Sequence, residues 1–431
     1  MQKLLLALLL LSSLLSAQAP KSKSMPTDYR AIHNSAIIVD THADTTQRLL
    51  DENFDMAHPT GYPGYVDFAS ARKGNLGAEF FSIWVEPTEW KGQYAHRTLA
   101  LIDSVYQQAA KHPDQMHMCY SAEDITRNHS QSRQKLCALM GIEGGHSIEN
   151  DLGLLRDYYR LGVRYMTLTW SNSNEWADSS GDINDTAVTH HNGLTEFGKD
   201  VVREMNRLGM MVDISHVSDR TFYQALTVSR APVIASHSSA RALTNHPRNM
   251  DDKMLRALAE NGGVVQVNFF SAFVDETFRK QWTDTMKERD AATEAARQQW
   301  KDLDPKTRAL KEHELSAQWA AKIPRPPFTV IVDHIDHIVK VAGIDHVGIG
   351  SDFDGIPSSP EGMDSAADLP KITQELVRRG YTAPQIHKIL GGNILRVFRE
   401  VEARSKEIQK EQPTQEAAPT HSANEKDVPK K

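Results

Sequence analysis

Short apolar runs alternate along the chain with longer segments that have the spacing of amphipathic helices. Several of these runs are apolar at nearly every position and rich in β-branched residues, which is typical of parallel strands buried on both faces. We count eight such runs, and they predict strands over residues 36–40, 78–85, 136–143, 165–169, 210–214, 233–236, 264–269 and 347–352.

The segments between these runs predict the helices of a repeating strand–helix unit. Eight such units predict an α/β fold of the (β/α)8 TIM barrel type, which we assign to residues 20–403. A doubly wound open sheet is the competing architecture, but no Gly-x-Gly-x-x-Gly follows the first strand. The predicted helices span residues 94–111, 152–161, 194–208, 219–228, 251–261 and 329–342, with further helical segments at 365–379 and 382–402.

A segment rich in Lys, Glu, Arg, Gln and Ala interrupts this rhythm at residues 274–325. It carries Trp282, Trp300 and Trp319 at intervals. We interpret it as a helical insertion that lies over the barrel mouth or at a subunit contact. A solvated helical hairpin without a functional role is the alternative.

The two ends of the chain differ in composition from the rest. Residues 1–19 have a positive Lys3, an apolar core and small residues for cleavage, which is the pattern of a secretory signal peptide. We therefore expect an exported protein, periplasmic or secreted, with an uncleaved anchor as the alternative. Residues 404–431 are polar and predict a disordered tail, and they contain no apolar run that would form a terminal membrane anchor.

The overall composition is that of an ordinary globular protein. The 431 residues are 40% hydrophobic and 24% charged, with a formal net charge of −7. This mild acidity does not support a nucleic-acid surface, which would need clustered Lys and Arg. The two cysteines, Cys119 and Cys137, either pair in the exported protein or remain as two buried thiols.

Side chains of the metal-ligand type follow five of the eight predicted strands. Because barrel active sites form at the carboxyl ends of the strands, we expect these side chains to lie close together. The residues are His42 and Asp44 after the first strand, Glu143 at the third, His216 after the fifth, His237 after the sixth and Asp352 at the eighth.

Three histidines and two carboxylates, with a spare Asp352, are too many ligands for a single tetrahedral zinc with an open position. They fit two zinc ions that share Glu143 as a bridge. His42 and Asp44 would complete the site of one ion, and His216 and His237 that of the other. Two ions about 3.5–4 Å apart can hold a bridging hydroxide and polarise a carbonyl. Asp352 would then carry the proton from the water to the leaving amine.

Five sequence motifs together resemble those of the membrane (renal) dipeptidase family, which are zinc metallopeptidases of the amidohydrolase-type barrels. The resemblance covers residues 37–401 apart from the insertion, and it implies a two-zinc site, hydrolysis of dipeptides and tolerance of a D-residue at the C-terminal position. It also suggests a homodimer. The motifs are Asp-Thr-His-Ala-Asp, Gly-Ile-Glu-Gly-Gly-His-Ser, Asp-Ile-Ser-His-Val-Ser, Ser-His-Ser-Ser-Ala and Gly-Ser-Asp-Phe-Asp-Gly.

The same resemblance assigns substrate contacts and exposes departures from the family pattern. Arg248 matches the family's arginine that holds the substrate carboxylate, for which a guanidinium fork is well suited. Trp170 stands where well-studied members carry a histidine that binds substrate and stabilises the oxyanion. Phe273 stands near the place of a pocket tyrosine in some members. His190 and His191 would compensate for the missing histidine, unless they are exposed loop residues.

We therefore predict a zinc-dependent dipeptidase that acts on a small dipeptide substrate through a metal-bridging hydroxide. One alternative is another amide or lactone hydrolase on the same bimetal site, which Trp170 and Phe273 would permit. The other is a catalytically silent binding protein that keeps the barrel. We expect no nucleic-acid partner and no stable membrane anchor in the mature chain.

Overall fold

A computed structural model describes residues 28–59, 64–131 and 135–411. Eight parallel strands form a nearly closed barrel in the order β1-β2-β4-β5-β6-β7-β8-β9, and β3 pairs in parallel with β4 outside this path. The strands are β1 (Ile38–Ala43), β2 (Leu76–Trp84), β3 (Met116–Met118), β4 (Leu136–Glu143), β5 (Val163–Thr167), β6 (Met211–Asp213), β7 (Ile234–Ser238), β8 (Val264–Val267) and β9 (Val347–Ile349).

The barrel closes where the end of β1 meets the segment that follows β9. The Asp44 N–H donates to the carbonyl of Phe353 at 2.7 Å, and the Asp352 N–H donates to the carbonyl of His42 at 2.9 Å. These two bonds place the first and last ligand-type segments side by side. The TIM barrel prediction is confirmed, and every predicted strand is present within three residues of its predicted ends.

Helices surround the barrel. They are α1 (Tyr29–Ser35), α2 (Thr45–Asp51), α3 (Phe68–Lys73), α4 (Tyr94–Lys111), α5 (Ala122–Gln131), α6 (Leu152–Arg160), α7 (Glu196–Leu208), α8 (Asp219–Val228), α9 (Asp252–Glu260), α10 (Ser271–Val274), α11 (Glu276–Asp284), α12 (Met286–Trp300), α13 (Pro305–Ala320), α14 (Thr329–Ala342), α15 (Leu369–Arg378), α16 (Ala383–His387) and α17 (Asn393–Glu411).

Alternate strand residues separate into two buried apolar clusters, as expected when side chains alternate between the barrel interior and the helix layer. Phe81 and Met140 belong to the larger cluster, together with the inward faces of the helices. Phe80 and Leu139 belong to the smaller one, which one face of α17 also joins. These continuous apolar strands explain why the sequence pattern located them so closely.

The sequence missed several short elements and left the state of the cysteines open. The three-residue β3 was not predicted, because a strand of this length has too little periodicity to recognise. The helices α1, α2, α3 and α5 were not predicted either. Cys119 and Cys137 form a disulfide. The Cys119 N–H donates to the Ala138 carbonyl at 2.8 Å, which places Cys119 beside β4.

The predicted boundary of the disordered tail, residue 404, is wrong. Helix α17 continues to Glu411, since Ile408 is buried and the Ser405 hydroxyl donates to the Arg207 carbonyl at 2.7 Å. The polar composition concealed this packing against α7. Residues 412–431, like the predicted signal peptide at 1–19, lie outside the described residues. Within the described ranges, no helix is both long and apolar enough to cross a bilayer.

The insertion is helical, as predicted. It comprises α11, α12 and α13 after the short α10. Several α13 side chains line the same cavity as Glu143 and His216, so the insertion lies over the barrel mouth.

Candidate metal centre

The barrel brings all six predicted ligand-type residues together at the carboxyl ends of the strands. His42 lies within β1 and Glu143 ends β4, while Asp352 follows β9 by three residues. The Nε2 atom of His42 lies 3.3 Å from Glu143 Oε2 and 3.9 Å from Asp352 Oδ1. Its distance to Asp44 Oδ2 is 3.6 Å. Residues separated by some three hundred positions therefore share one site.

The two carboxylate oxygens of Glu143 face different halves of this set. Oε2 points to His42, whereas Oε1 lies 2.7 Å from His216 Nε2 and 3.4 Å from His237 Nε2. Two groups of candidate ligand atoms thus meet at Glu143. One is His42, Asp44 and Glu143, and the other is Glu143, His216 and His237.

Tyr165 determines which nitrogen of His42 is available as a ligand. The Tyr165 hydroxyl donates to the Thr41 carbonyl at 3.0 Å, so it accepts the proton of His42 Nδ1 at 2.7 Å. Nε2 is then the nitrogen that can offer a lone pair to a cation. That atom is buried and has no hydrogen-bond partner among the described residues, as expected of a nitrogen that serves as a metal ligand.

Ser236 and Asp213 likewise determine which nitrogen of His237 is available as a ligand. The Ser236 hydroxyl donates to Asp213 Oδ2 at 2.6 Å and accepts from His237 Nδ1 at 2.7 Å. Asp213 is itself held by the Thr167 hydroxyl at 2.5 Å. His237 Nε2 therefore also presents a lone pair, at 2.9 Å from His216 Nε2.

The electrostatics of the cluster differ from one member to the next. Burial would lower the pKa of His42, but the surrounding acidic groups, including Glu143, raise it well above its usual range. Burial alone would raise the pKa of Glu143, but the His42 imidazole and the hydrogen bonds from His216 and His237 hold it well below its usual range. Burial lowers the pKa of His216 to about 4, with a further contribution from the Arg248 charge. Burial and the charge of His42 also lower the pKa of His237. Carboxylate oxygens and imidazole nitrogens converge here, and a bound cation would displace the proton of His42, so the residues fit one or two metal ions.

Asp352 stands beside the ligands in a strained backbone conformation. Its φ is +63°, and that of His216 is +65°, values that side-chain-bearing residues adopt at a cost. The Asn268 amide donates to Asp352 Oδ2 at 2.8 Å and orients the carboxyl group. With the charges of the protein alone, burial and the carboxylates of Asp44 and Glu143 raise the pKa of Asp352 to about 8.

Gly355 leaves the space that the Asp44 carboxylate occupies. A Cβ at Gly355 would lie 2.0 Å from Asp44 Oδ2 and 2.9 Å from Asp352 Oδ1. The glycine is required by this close approach and not by its backbone conformation. It is a positioning residue for the metal centre.

A cavity of about 560 Å³ opens onto the ligands. Trp170 forms part of its wall together with Trp84, and their ring centroids lie 4.9 Å apart. His190 and His191 are not among its lining residues in the described part of the chain, so they do not replace the family histidine there. Phe273 also lines the cavity, and unlike a tyrosine it presents no polar atom there.

Arg248 is buried behind Phe273 and does not line the cavity formed by the described residues. Its guanidinium donates to the Ser238 hydroxyl at 3.1 Å and to the His237 carbonyl at 2.9 Å. The guanidinium carbon lies 5.5 Å from the Phe273 ring centroid. Its Nε has no partner among the described residues.

Sequence reasoning overlooked the residues that hold the ligands in place. Asp213 and Ser236 lie inside two of the quoted motifs, so the motif residues next to each histidine were an available signal. Gly355 likewise ends the motif that contains Asp352. Tyr165 and Asn268 gave no such signal, because their contacts cross the barrel.

Comparison with known proteins gives one consistent result. The family model for membrane dipeptidases (peptidase family M19) matches residues 27–412. An uncharacterised dipeptidase of Schizosaccharomyces pombe is 35% identical over 400 residues, which cover 89% of this chain and 84% of that protein.

Solved structures agree in fold. The probable dipeptidase PvdM of Pseudomonas aeruginosa superposes with a TM-score of 0.72 at 26% identity, covering 87% of this chain and 98% of the other. A metallopeptidase of Rhodobacter sphaeroides, liganded with a phosphinate mimic of L-Ala-D-Ala, has the same fold, with a TM-score of 0.67 at 23% identity and coverages of 85% and 99%. The full-length family match, together with a buried cluster of metal-ligand side chains at the strand ends, shows that this chain belongs to the membrane dipeptidase family (M19) and is a metallo-dipeptidase.

Proposed function

We propose that this metallo-dipeptidase holds two zinc ions and hydrolyses the peptide bond of dipeptides, including those with a D-residue at the C-terminal position. The proposal rests on the two carboxylate oxygens of Glu143, because each of them faces a different half of the ligand set. Glu143 Oε2 would join His42 and Asp44 around one ion. Glu143 Oε1 would join His216 and His237 around the other.

Zinc is favoured by the chemistry of the donors. Three imidazoles with carboxylates suit zinc, whereas magnesium and calcium prefer oxygen ligands alone. When bound, the ions would supply Lewis acidity towards the substrate carbonyl and lower the pKa of the attacking water.

Asp352 is proposed to carry the proton. It lies at the edge of the ligand cluster, 3.9 Å from His42 Nε2, and the Asn268 amide holds one of its oxygens in place. The free side of the carboxyl group would take the proton of the attacking water and pass it to the nitrogen of the leaving amine. This role rests on position and not on the pKa of the group.

Arg248 and Trp170 are proposed to bind the substrate. Arg248 is desolvated, and its unpartnered Nε offers a charged donor to a substrate carboxylate that displaces the Phe273 ring. Trp170 faces the cavity with an aromatic surface and a single N–H donor. It would pack against substrate side chains, and oxyanion stabilisation would then fall to the ions.

The decisive experiment joins metal analysis to a peptidase assay. The wild-type chain should contain about two zinc ions and hydrolyse dipeptides. The variant Glu143→Ala should lose both ions and activity together, whereas His42→Ala should spare the ion at His216 and His237. Retained zinc stoichiometry and turnover in Glu143→Ala would refute the bridging role.

The presence of Trp170 in place of the family's histidine favours a second candidate function, that of an amide or lactone hydrolase on the same site. A panel of L,L- and L,D-dipeptides, N-acyl amino acids and lactones separates the two. Preference for a non-peptide substrate would replace the proposal. The complete ligand set argues against the silent binding protein, which would have no need of it.

We further propose export through the signal at residues 1–19 and assembly as a homodimer. Cell fractionation and N-terminal sequencing of the mature chain test the first. The mass of the purified protein in solution tests the second, and a monomer would contradict it.

A further inference from the structure

The helix α13 of the insertion forms the outer wall of the metal-site cavity. Lys306, Arg308 and Leu310 from this helix line the same cavity as Glu143 and Asp352. The ligands and α13 therefore face one cavity of about 560 Å³. A substrate bound at the ligands has to share that volume with the insertion.

The insertion is anchored to the barrel by apolar contacts at its base. Phe278 is buried, and its ring centroid lies 6.3 Å from those of both Phe270 and Trp282. On the return of the chain, Ala320 and Ile323 are also buried. The base is therefore part of the hydrophobic core and stays attached to it.

The outer part of the insertion lacks such anchoring. Helix α12 has no buried residue. Among the contacts described for α13, a hydrogen bond from Lys306 and an ion pair of Arg308 reach the opposite side of the mouth. Lys306 Nζ donates to the Leu50 carbonyl at the end of α2 at 2.8 Å, and an Arg308 nitrogen lies 3.3 Å from Glu89 Oε1. The Arg308 and Glu89 side chains are 24% and 36% exposed, so their attraction is weak enough to break reversibly.

We propose that α13 is a cover that limits the length of the substrate, and that Lys306 and Arg308 latch it. This inference rests on the proposed function of the site. A peptide held by its carboxylate at the buried Arg248, with its scissile bond at the ligands, has its N-terminal end directed to the mouth. An additional N-terminal residue would then meet α13. The latch thus selects dipeptides over longer peptides.

The test compares the kcat/KM of the holoenzyme for a dipeptide with that for the same dipeptide extended by one N-terminal residue. Arg308→Glu places a like charge against Glu89 and should raise the tripeptide-to-dipeptide ratio about tenfold. The exchange Arg308→Glu with Glu89→Arg should return the ratio to near that of wild type. The matched control is Lys311→Glu on the same helix, since Lys311 contacts only Trp300 within the insertion among the contacts described for it.

A second readout does not depend on peptide hydrolysis. The rate at which a chelator removes the bound metal measures access through the mouth, and it should rise in Arg308→Glu but not in Lys311→Glu. An unchanged ratio together with an unchanged removal rate would overturn the latch. If the wild type hydrolysed no dipeptide, the proposed function would fail, and the removal rates would still decide whether α13 is a cover.

Discussion

Replacing Gly355 by alanine should disable the metal centre through a single methyl group. The added Cβ would lie 2.0 Å from Asp44 Oδ2, whereas real Cβ contacts are essentially never shorter than 3.0 Å. The Asp44 carboxylate would therefore have to move by about 1 Å. Asp352 Oδ1 lies 2.9 Å from the same Cβ, so it is crowded as well.

A displacement of this size is large for a metal centre. A misplacement of about 1 Å at a reacting site costs on the order of 10²-fold in rate. We expect Gly355→Ala to lower kcat/KM about 100-fold and to weaken the ion held by His42 and Asp44 about tenfold or more. Overpacking should also cost about 1–3 kcal/mol of folding stability.

The assay measures metal content and kcat/KM on the same preparation. Gly77→Ala is the matched control, because a Cβ there meets nothing closer than the Ile38 carbonyl at 3.4 Å, which is ordinary contact. The control should keep both metal and activity. If Gly355→Ala retained its metal and stayed within about threefold of wild-type kcat/KM, the steric reasoning would be refuted.

Three further predictions test the surroundings of the site. Ser236→Ala removes the hydroxyl that orients His237, so the zinc affinity of the site at His216 and His237 should fall about 10- to 100-fold in a competition titration. The control Ser271→Ala, at another buried serine, should leave that affinity unchanged. Tyr165→Phe should weaken the His42 ion instead, and equal loss of both ions would contradict the division of the site. Burial lowers the pKa of His334 to about 4, so the unfolded chain gains a proton below pH 6.5 that the folded chain rejects, and stability falls as the pH drops from 6.5 to 4. Between pH 7.5 and 4.5, the free energy of unfolding of His334→Gln, measured with denaturant, should fall by up to about 3 kcal/mol less than that of the wild type. An equal fall in the two chains would contradict this prediction.

The sequence predicted the barrel because each strand is a continuous apolar run with its polar chemistry at one end. β4 and the helices α4, α8 and α14 have the bounds that the pattern indicated. The ligand set followed from the same regularity, since parallel strands bring their carboxyl ends to one face whatever lies between them. Local order and periodicity were sufficient for both.

Only the tertiary structure decided how the ligands are oriented. The lone pair of His42 depends on the hydroxyl of Tyr165, more than a hundred residues away. The carboxylate of Asp44 depends on Gly355, which is about three hundred residues away in the sequence. No local pattern records such contacts, because they arise when the strands close on one another.

The insertion and the final helix show the same limit at larger scale. The composition of residues 274–325 indicated helices, but their place over the mouth depends on Lys306 and Arg308 meeting the opposite loops. The polar residues after 404 belong to a helix because Ile408 is buried and Ser405 bonds the end of α7. A sequence determines which faces of an element are apolar, whereas the partner that covers each face is settled by the packing of the whole chain.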